Sequence, residues 1–181
     1  NLNDANLRWN HGLVCLALGD YSRGWRDYEY RWVARNKQKP EYNSPAWNGD
    51  ALGEKTLLLH TEQGFGDSIM FYRFAHKLAE AGSNLILHCQ PALKRLFSSQ
   101  SPNVTVLDTN MVPPPHDVHA SLMSLPFLME LNKEEELCLP KIIHSQNKSV
   151  IDLDSTDLSN KKIAFTWTSQ IGSETGEKKS I

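Results

Sequence analysis

Lys55 to Glu80, KTLLLHTEQGFGDSIMFYRFAHKLAE, decides how this chain is read. It begins with Thr56-Leu57-Leu58-Leu59, a short apolar run of the kind expected for a parallel strand buried on both faces. Thr61-Glu62-Gln63 ends the run. Gly64 and Gly66 follow, separated by Phe65, and the missing side chains allow a tight turn and close approach by a ligand or neighbouring backbone. Asp67 and Ser68 are both helix-capping residue types. From Ile69 onward, Ile69, Met70, Phe71, Phe74, Ala75, Leu78 and Ala79 recur at spacings of three and four, which predicts one buried helix face. The stretch therefore reads as strand, glycine turn, helix, with the turn at the carboxyl end of the strand, where open α/β sheets hold their ligands.

The turn is informative through what it lacks. A dinucleotide fingerprint needs a third glycine for close helix packing, and Ile69 stands in that place. The Gly-Lys-Ser/Thr of a phosphate-binding P-loop is also absent. In their place is one carboxylate, Asp67, in the first turn of a helix, where the positive end of the dipole attracts negative charge. Two readings stand: Asp67 caps its helix, or it is a general base in a strand-end cleft.

At 181 residues the chain can bury a real core and hold one domain with a small extra module. A formal net charge of −2 without a basic patch argues against a nucleic-acid partner. No apolar run approaches twenty residues and no signal peptide is visible, so no transmembrane segment is expected. Cys15, Cys89 and Cys138 lack paired spacing and read as small buried hydrophobes.

Residues 1–34 read as two helices meeting at Gly19-Asp20, with Leu7, His11, Val14, Cys15 and Leu18 on one face and Trp25, Tyr28, Glu29 and Trp32 on the other helix. Residues 35–54 have the composition of a linker, although Trp47 should pin it to a surface. Residues 55–158 continue an α/β rhythm, Rossmann-like in its order. Leu85–Cys89 is a second strand, a helix opens at Pro91 and runs through Phe97, Val104–Leu107 is a third strand, and Asp117–Ala120 is a fourth, leading into a helix over Leu122–Leu131. His116, Asp117 and His119 lie close in sequence, but the spacing does not make a metal site and none is expected. Residues 159–181 begin a second lobe with the strand Lys161–Trp167, followed by a polar loop.

Leu18-Gly19-Asp20-Tyr21, with Gly12, Gly24 and Tyr28, resembles one tetratricopeptide repeat. Gly24-Trp25-x-x-Tyr28-Glu29-x-Arg31, Pro45-x-Trp47-x-Gly49, Glu62-Gln63-Gly64-x-Gly66-Asp67, Ser124-Leu125-Pro126 and Ile163–Trp167 extend the likeness. Together they resemble bacterial tetratricopeptide-repeat proteins with a glycosyltransferase-like domain, similar to lipopolysaccharide heptosyltransferases and more distantly to O-linked N-acetylglucosamine transferases. The resemblance implies an α/β protein: the Rossmann-like, acceptor-side lobe of a GT-B fold, preceded by a tetratricopeptide-type hairpin and followed by the start of a donor lobe. It implies Asp67 as base, with Gln63, Gly64, Phe65, Gly66, Ser68 and His119 around the acceptor, and Thr168, Lys179 and Ser180 on the donor side. Lys179 stands where the family pattern has arginine before serine. The implied donor is a nucleotide-sugar, with no cofactor or metal, and the acceptor a hydroxyl on a glycan, lipid or peptide. The implied location is the cytoplasm, with peripheral attachment to the inner membrane as an alternative. With the donor lobe cut short, the chain as it stands is expected to lack turnover. A non-catalytic module holding a protein partner through the repeat helices is the rival expectation.

Overall fold

The structure, a computed structural model, describes residues 4–100 and 103–137, all within one compact unit. The predicted strand Lys161–Trp167 and the residues Thr168, Lys179 and Ser180 lie outside the described residues. The fold is mixed α/β. Four strands, β1 (Thr56–His60), β2 (Asn84–Cys89), β3 (Val104–Asp108) and β4 (Val118–Ser121), form a parallel sheet in the order β3-β2-β1-β4. β1 is central, and Leu57, Leu58 and Leu59 are fully buried as their uniform hydrophobicity requires. Each such leucine contributes about 2 kcal/mol relative to exposure.

Alternation along the strands gives the sheet two different faces. Leu57, Leu59, Leu85, Leu87, Cys89, Val118 and Ala120 share the main core with Phe71, Phe74 and Ala75 of α4 (Phe65–Glu80) and Leu93 and Phe97 of α5 (Pro91–Ser98). The opposite face carries Leu58, His60, Ile86, His88 and His119, matched across the strands in register. The β3-to-β4 connection runs through Pro113-Pro114-Pro115 and forms no helix, so this second face is covered by residues preceding β1 instead.

Those residues are not a free linker. Ala46 bridges β4 at His119, and Trp47 and Leu52 enter the main core. Gly49 has φ 97°, and a Cβ there would lie 2.5 Å from the Leu128 carbonyl oxygen, so only glycine fits without a shift. The predicted helix over Leu122–Leu131 is shorter than its apolar content implies. A 3-10 turn at Leu122–Ser124 leads into α6 (Leu125–Leu128), and Glu130 at φ 52° closes it.

The amino-terminal region differs from the two-helix reading. α1 (Ala5–Ala17) and α2 (Tyr21–Tyr28) meet at Gly19, but the second helix breaks at Glu29-Tyr30 before the short α3 (Arg31–Ala34). Leu7, Val14 and Leu18 are exposed rather than buried, because α1 meets α2 through Gly12 and Cys15. At Gly12 an added Cβ would sit 2.8 Å from Tyr28 N and 2.9 Å from Asp27 C, so the two backbones approach as closely as glycine allows. Asp27, buried beside this contact, accepts from Arg8 at 2.6 Å and pairs with His11 Nδ1 at 2.7 Å. Trp25 then docks α2 on α4, edge-on to Phe71 at 6.0 Å between centroids.

Candidate functional site

The loop Thr61–Gly64 leaves the carboxyl end of β1. β1 is flanked by β2, which follows it in sequence, and by β4, which is added on its other side, so the winding reverses beside this loop. Open parallel sheets leave a crevice at such a point.

The helix start differs from the expected one. Gly64, in an extended conformation (φ −68°, ψ 170°), is the N-cap, and α4 begins at Phe65. Asp67 is the third helical residue and turns back so that its Oδ2 accepts from the Gly64 N–H at 3.2 Å. Neither Asp67 nor Ser68 is the cap residue. A backbone that turns at glycine leaves the first turn short of partners, and a carboxylate three residues on can supply one. Asp67 Oδ1 makes no hydrogen bond among the described residues. Ser68 is buried, its Oγ 3.1 Å from Gly64 O and 3.2 Å from Gln90 Oε1. Gln90, which follows β2, donates through Nε2 to Gln63 O at 2.7 Å, so one amide ties the loop to the helix start. Gln63 presents its own Oε1 to Arg35 at 3.3 Å. A Cβ added at Gly66, the second residue of α4, would meet nothing within 4 Å, so the first turn of the helix is open on that side. Phe65, Ile69 and Met70, the last two predicted as buried, are exposed on the same turns because the face of α4 that meets the sheet starts at Ser68, Phe71 and Tyr72.

Gln63, Gly64, Phe65, Gly66, Asp67 and Ser68 are thus brought together by the loop and the first turn of α4. His119 is placed elsewhere. It lies mid-strand in β4, in register with Leu58, and its Nδ1 pairs with Ser44 Oγ at 3.1 Å.

Directly behind the loop is a buried ionic network that the sequence did not announce. Arg31, its side chain 2% exposed, donates through Nε to Glu62 Oε1 at 2.5 Å and through Nη2 to Oε2 at 3.1 Å. Its Nη1 donates to Glu29 Oε1 at 2.5 Å, and Nη2 donates to Ser124 Oγ at 2.8 Å. Ser121 Oγ donates to Glu62 Oε2 at 2.8 Å and Ser124 Oγ to Glu29 Oε2 at 2.9 Å. Burial alone would favour loss of the Arg31 proton; the two carboxylates outweigh it and hold the guanidinium charged. Arg31 has five donors in a fixed fork, which is why one side chain can join helix, loop and strand. These residues recur among the motif positions Glu29, Arg31, Glu62 and Ser124, and here they seat the helices on the sheet. The sequence offered Arg31 a carboxylate at helical spacing, Asp27 four residues earlier, so nothing in it pointed to the distant Glu62 as its partner.

Among the described residues no group of three or more His, Cys, Asp or Glu is arranged to hold a metal ion. Among them also, no helix is long and apolar enough to cross a membrane. A cleft of about 390 Å³ lies at the other end of the sheet, lined by Trp47, Asp50, Leu52, Leu78, Ser83 and Met129. Its only ionisable lining side chain is Asp50, so its size does not make it the better candidate for chemistry.

No family model matches the chain, and no solved structure gives a significant match. Part of the chain is similar to Protein FlbA of Caulobacter vibrioides, with 33% identity over 107 residues, 56% of this chain. The chain covers 18% of that relative's length.

Proposed function

We propose that this chain carries the acceptor-side, Rossmann-like lobe of a GT-B glycosyltransferase-like protein, with a tetratricopeptide-type hairpin formed by α1 and α2. The observation that carries this reading is the Glu62–Asp67 loop at the carboxyl end of the central strand, beside the reversal of winding. In the reaction proposed, a hydroxyl oxygen of a glycan, lipid or peptide attacks the anomeric carbon of a hexosyl or heptosyl nucleotide donor. The nucleoside diphosphate leaves with the electron pair of the broken bond, and Asp67 takes the hydroxyl proton. Asp67 can brace the Gly64 cap and serve as base at once. Oδ2 is oriented by the Gly64 N–H while Oδ1 is left without a hydrogen bond among the described residues. Open space beside Gly66 and the exposed rings and chains of Phe65, Ile69 and Met70 give an acceptor room and apolar contact. Thr168, Lys179 and Ser180 keep the donor-side role that the resemblance implies, and the location proposed is cytoplasmic.

A second reading is favoured by the ionic network. Arg31, Glu29, Glu62 and Ser124 account for most of the motif by seating helices on a sheet, with no chemistry required. On that reading the protein is a non-catalytic module that holds a protein partner. The two separate in one experiment on the protein made from its complete gene, titrated with a panel of nucleotide-sugars by calorimetry and assayed for turnover. Donor binding retained in Asp67→Asn with turnover lost supports the transferase. Absence of donor binding by the wild type leaves the interaction module.

A further inference from the structure

The face of the sheet opposite α4 is built from imidazoles. His60 of β1, His88 of β2 and His119 of β4 are directed to it, and His116 precedes β4. At their centre is one phenol. The Tyr42 ring lies 5.5 Å from His60, 6.3 Å from His88, 5.8 Å from His116 and 5.0 Å from His119, centroid to centroid. His60 and His119 are 6.4 Å apart. His60 is 5% exposed and His88 9%, and His60 Nδ1, His88 Nε2 and His116 Nε2 are buried without a hydrogen-bond partner.

Tyr42 belongs to a segment held at its ends. Lys37 N–H bonds Trp32 O at 3.0 Å, and at the other end His119 N–H bonds Pro45 O at 3.0 Å. Between Lys37 and Pro45 no backbone–backbone hydrogen bond ties the segment down among the described residues. It is fastened by side chains: Tyr42 OH paired with His88 Nδ1 at 3.2 Å and Ser44 Oγ with His119 Nδ1 at 3.1 Å.

We propose that residues 38–45 form an acid-released strap, closed over the sheet while the imidazoles of His60 and His119 are uncharged and displaced when they take up protons. The geometry gives the reason. A cation at His60 would be buried beside a second imidazole at 6.4 Å, with its Nδ1 lacking a hydrogen-bond partner. The charged and titratable groups facing the cluster act in both directions, Glu62 favouring charge on His60, and His119 and Arg31 opposing it, so burial decides. Arg31 from α3 acts on His60 and Lys39 from the strap on His119 with positive charge, and the rings of His88 and His116 also face Tyr42. Among the described residues the carboxylate acting on His60 is Glu62, two residues past β1, and it is already held by Arg31. β3 presents Leu107 to this face, in register with His88. Release restores water to the rings.

The direction in pH follows from the same burial. Desolvation pushes His60 down from the ordinary 6.5 to about 4, and it also lowers His119. The strap is therefore fully closed above about pH 6.5 and loses its closure as pH falls from there toward about 4. With His60 returned to water in the open form, the closed-to-open ratio drops roughly 30-fold by pH 5.

The His119 amide, whose partner is Pro45 on the strap, reports this opening. Its hydrogen-exchange protection in the 181-residue chain, followed by NMR and corrected for intrinsic exchange, is expected to fall roughly 30-fold between pH 7.5 and pH 5, while the amides of Leu57–Leu59 keep theirs. In His60→Gln/His119→Gln the pH dependence should disappear. Unchanged protection of the wild-type His119 amide at pH 5 overturns the proposal, and so does an equal loss in β1, which would mean global unfolding. Should the double variant not fold, the wild-type comparison of His119 with β1 decides alone.

Discussion

Arg31→Met puts the joint between helices and sheet under direct test. The substitution keeps an unbranched apolar stem and removes the guanidinium. Glu29 is 22% exposed at its side chain and can turn to water, whereas Glu62 at 4% cannot. The loss is therefore set by Glu62, a buried carboxylate left with the Ser121 hydroxyl at 2.8 Å as its main support. Removing one partner of a buried pair costs about 3–5 kcal/mol, most of it the stranded charge. Summing the separate bonds of Arg31 would overshoot this, since they share one side chain and are not additive. Urea unfolding followed by tryptophan fluorescence should place Arg31→Met about 3–5 kcal/mol below wild type. Arg31→Met/Glu62→Gln should recover most of the loss, because the buried site then holds no stranded charge. A deficit below about 1 kcal/mol, or a double variant no better than the single one, refutes the claim that this network seats the helices.

Other positions give independent readings. Gly12→Ala forces a Cβ to within 2.8 Å of Tyr28 N, with backbone on all sides, and should cost about 1–3 kcal/mol in the same unfolding assay. Burial would push the Asp27 carboxyl up, but hydrogen bonds from Arg8 and His11 outweigh it and hold it below the ordinary 3.8. Its contribution is thus complete above 3.8 and lost as pH falls through the lowered value, so the advantage of wild type over Asp27→Asn should shrink in unfolding curves taken progressively below pH 3.8. Burial raises the Cys89 thiol to about 11, so it should resist alkylation at pH 8 until the chain is unfolded, as peptide mass spectrometry would show.

Legibility in the sequence follows the range of the interaction concerned. Leu57-Leu58-Leu59 and Leu85-Ile86-Leu87 announce buried parallel strands, since a strand packed on both faces needs apolar residues at every position, and Val104–Leu107 announces the edge strand, of which only Val104 is buried. Gly82 after α4 and Pro91 at the start of α5 announce helix ends, because their backbone limits are local. Asp67 was ambiguous for the same reason: an aspartate that caps a helix and one that folds back from the third position onto a glycine cap have nearly the same sequence.

Tertiary structure alone decided the rest. α1 exposes Leu7, Val14 and Leu18 because a glycine-to-backbone contact with α2 outbids a greasier face, which no periodicity can foresee. Arg31 is buried because its partners Glu62, Ser121 and Ser124 arrive from 31, 90 and 93 residues away. His60, His88 and His119 form one surface only once three strands are in register and Tyr42 is laid across them. The sequence by itself determined the strands, the turns and the candidate loop, all of which depend on neighbours within a few residues. Which polar groups are buried, and beside what, was left to contacts distant in the chain, whose energies exist only after the sheet has formed.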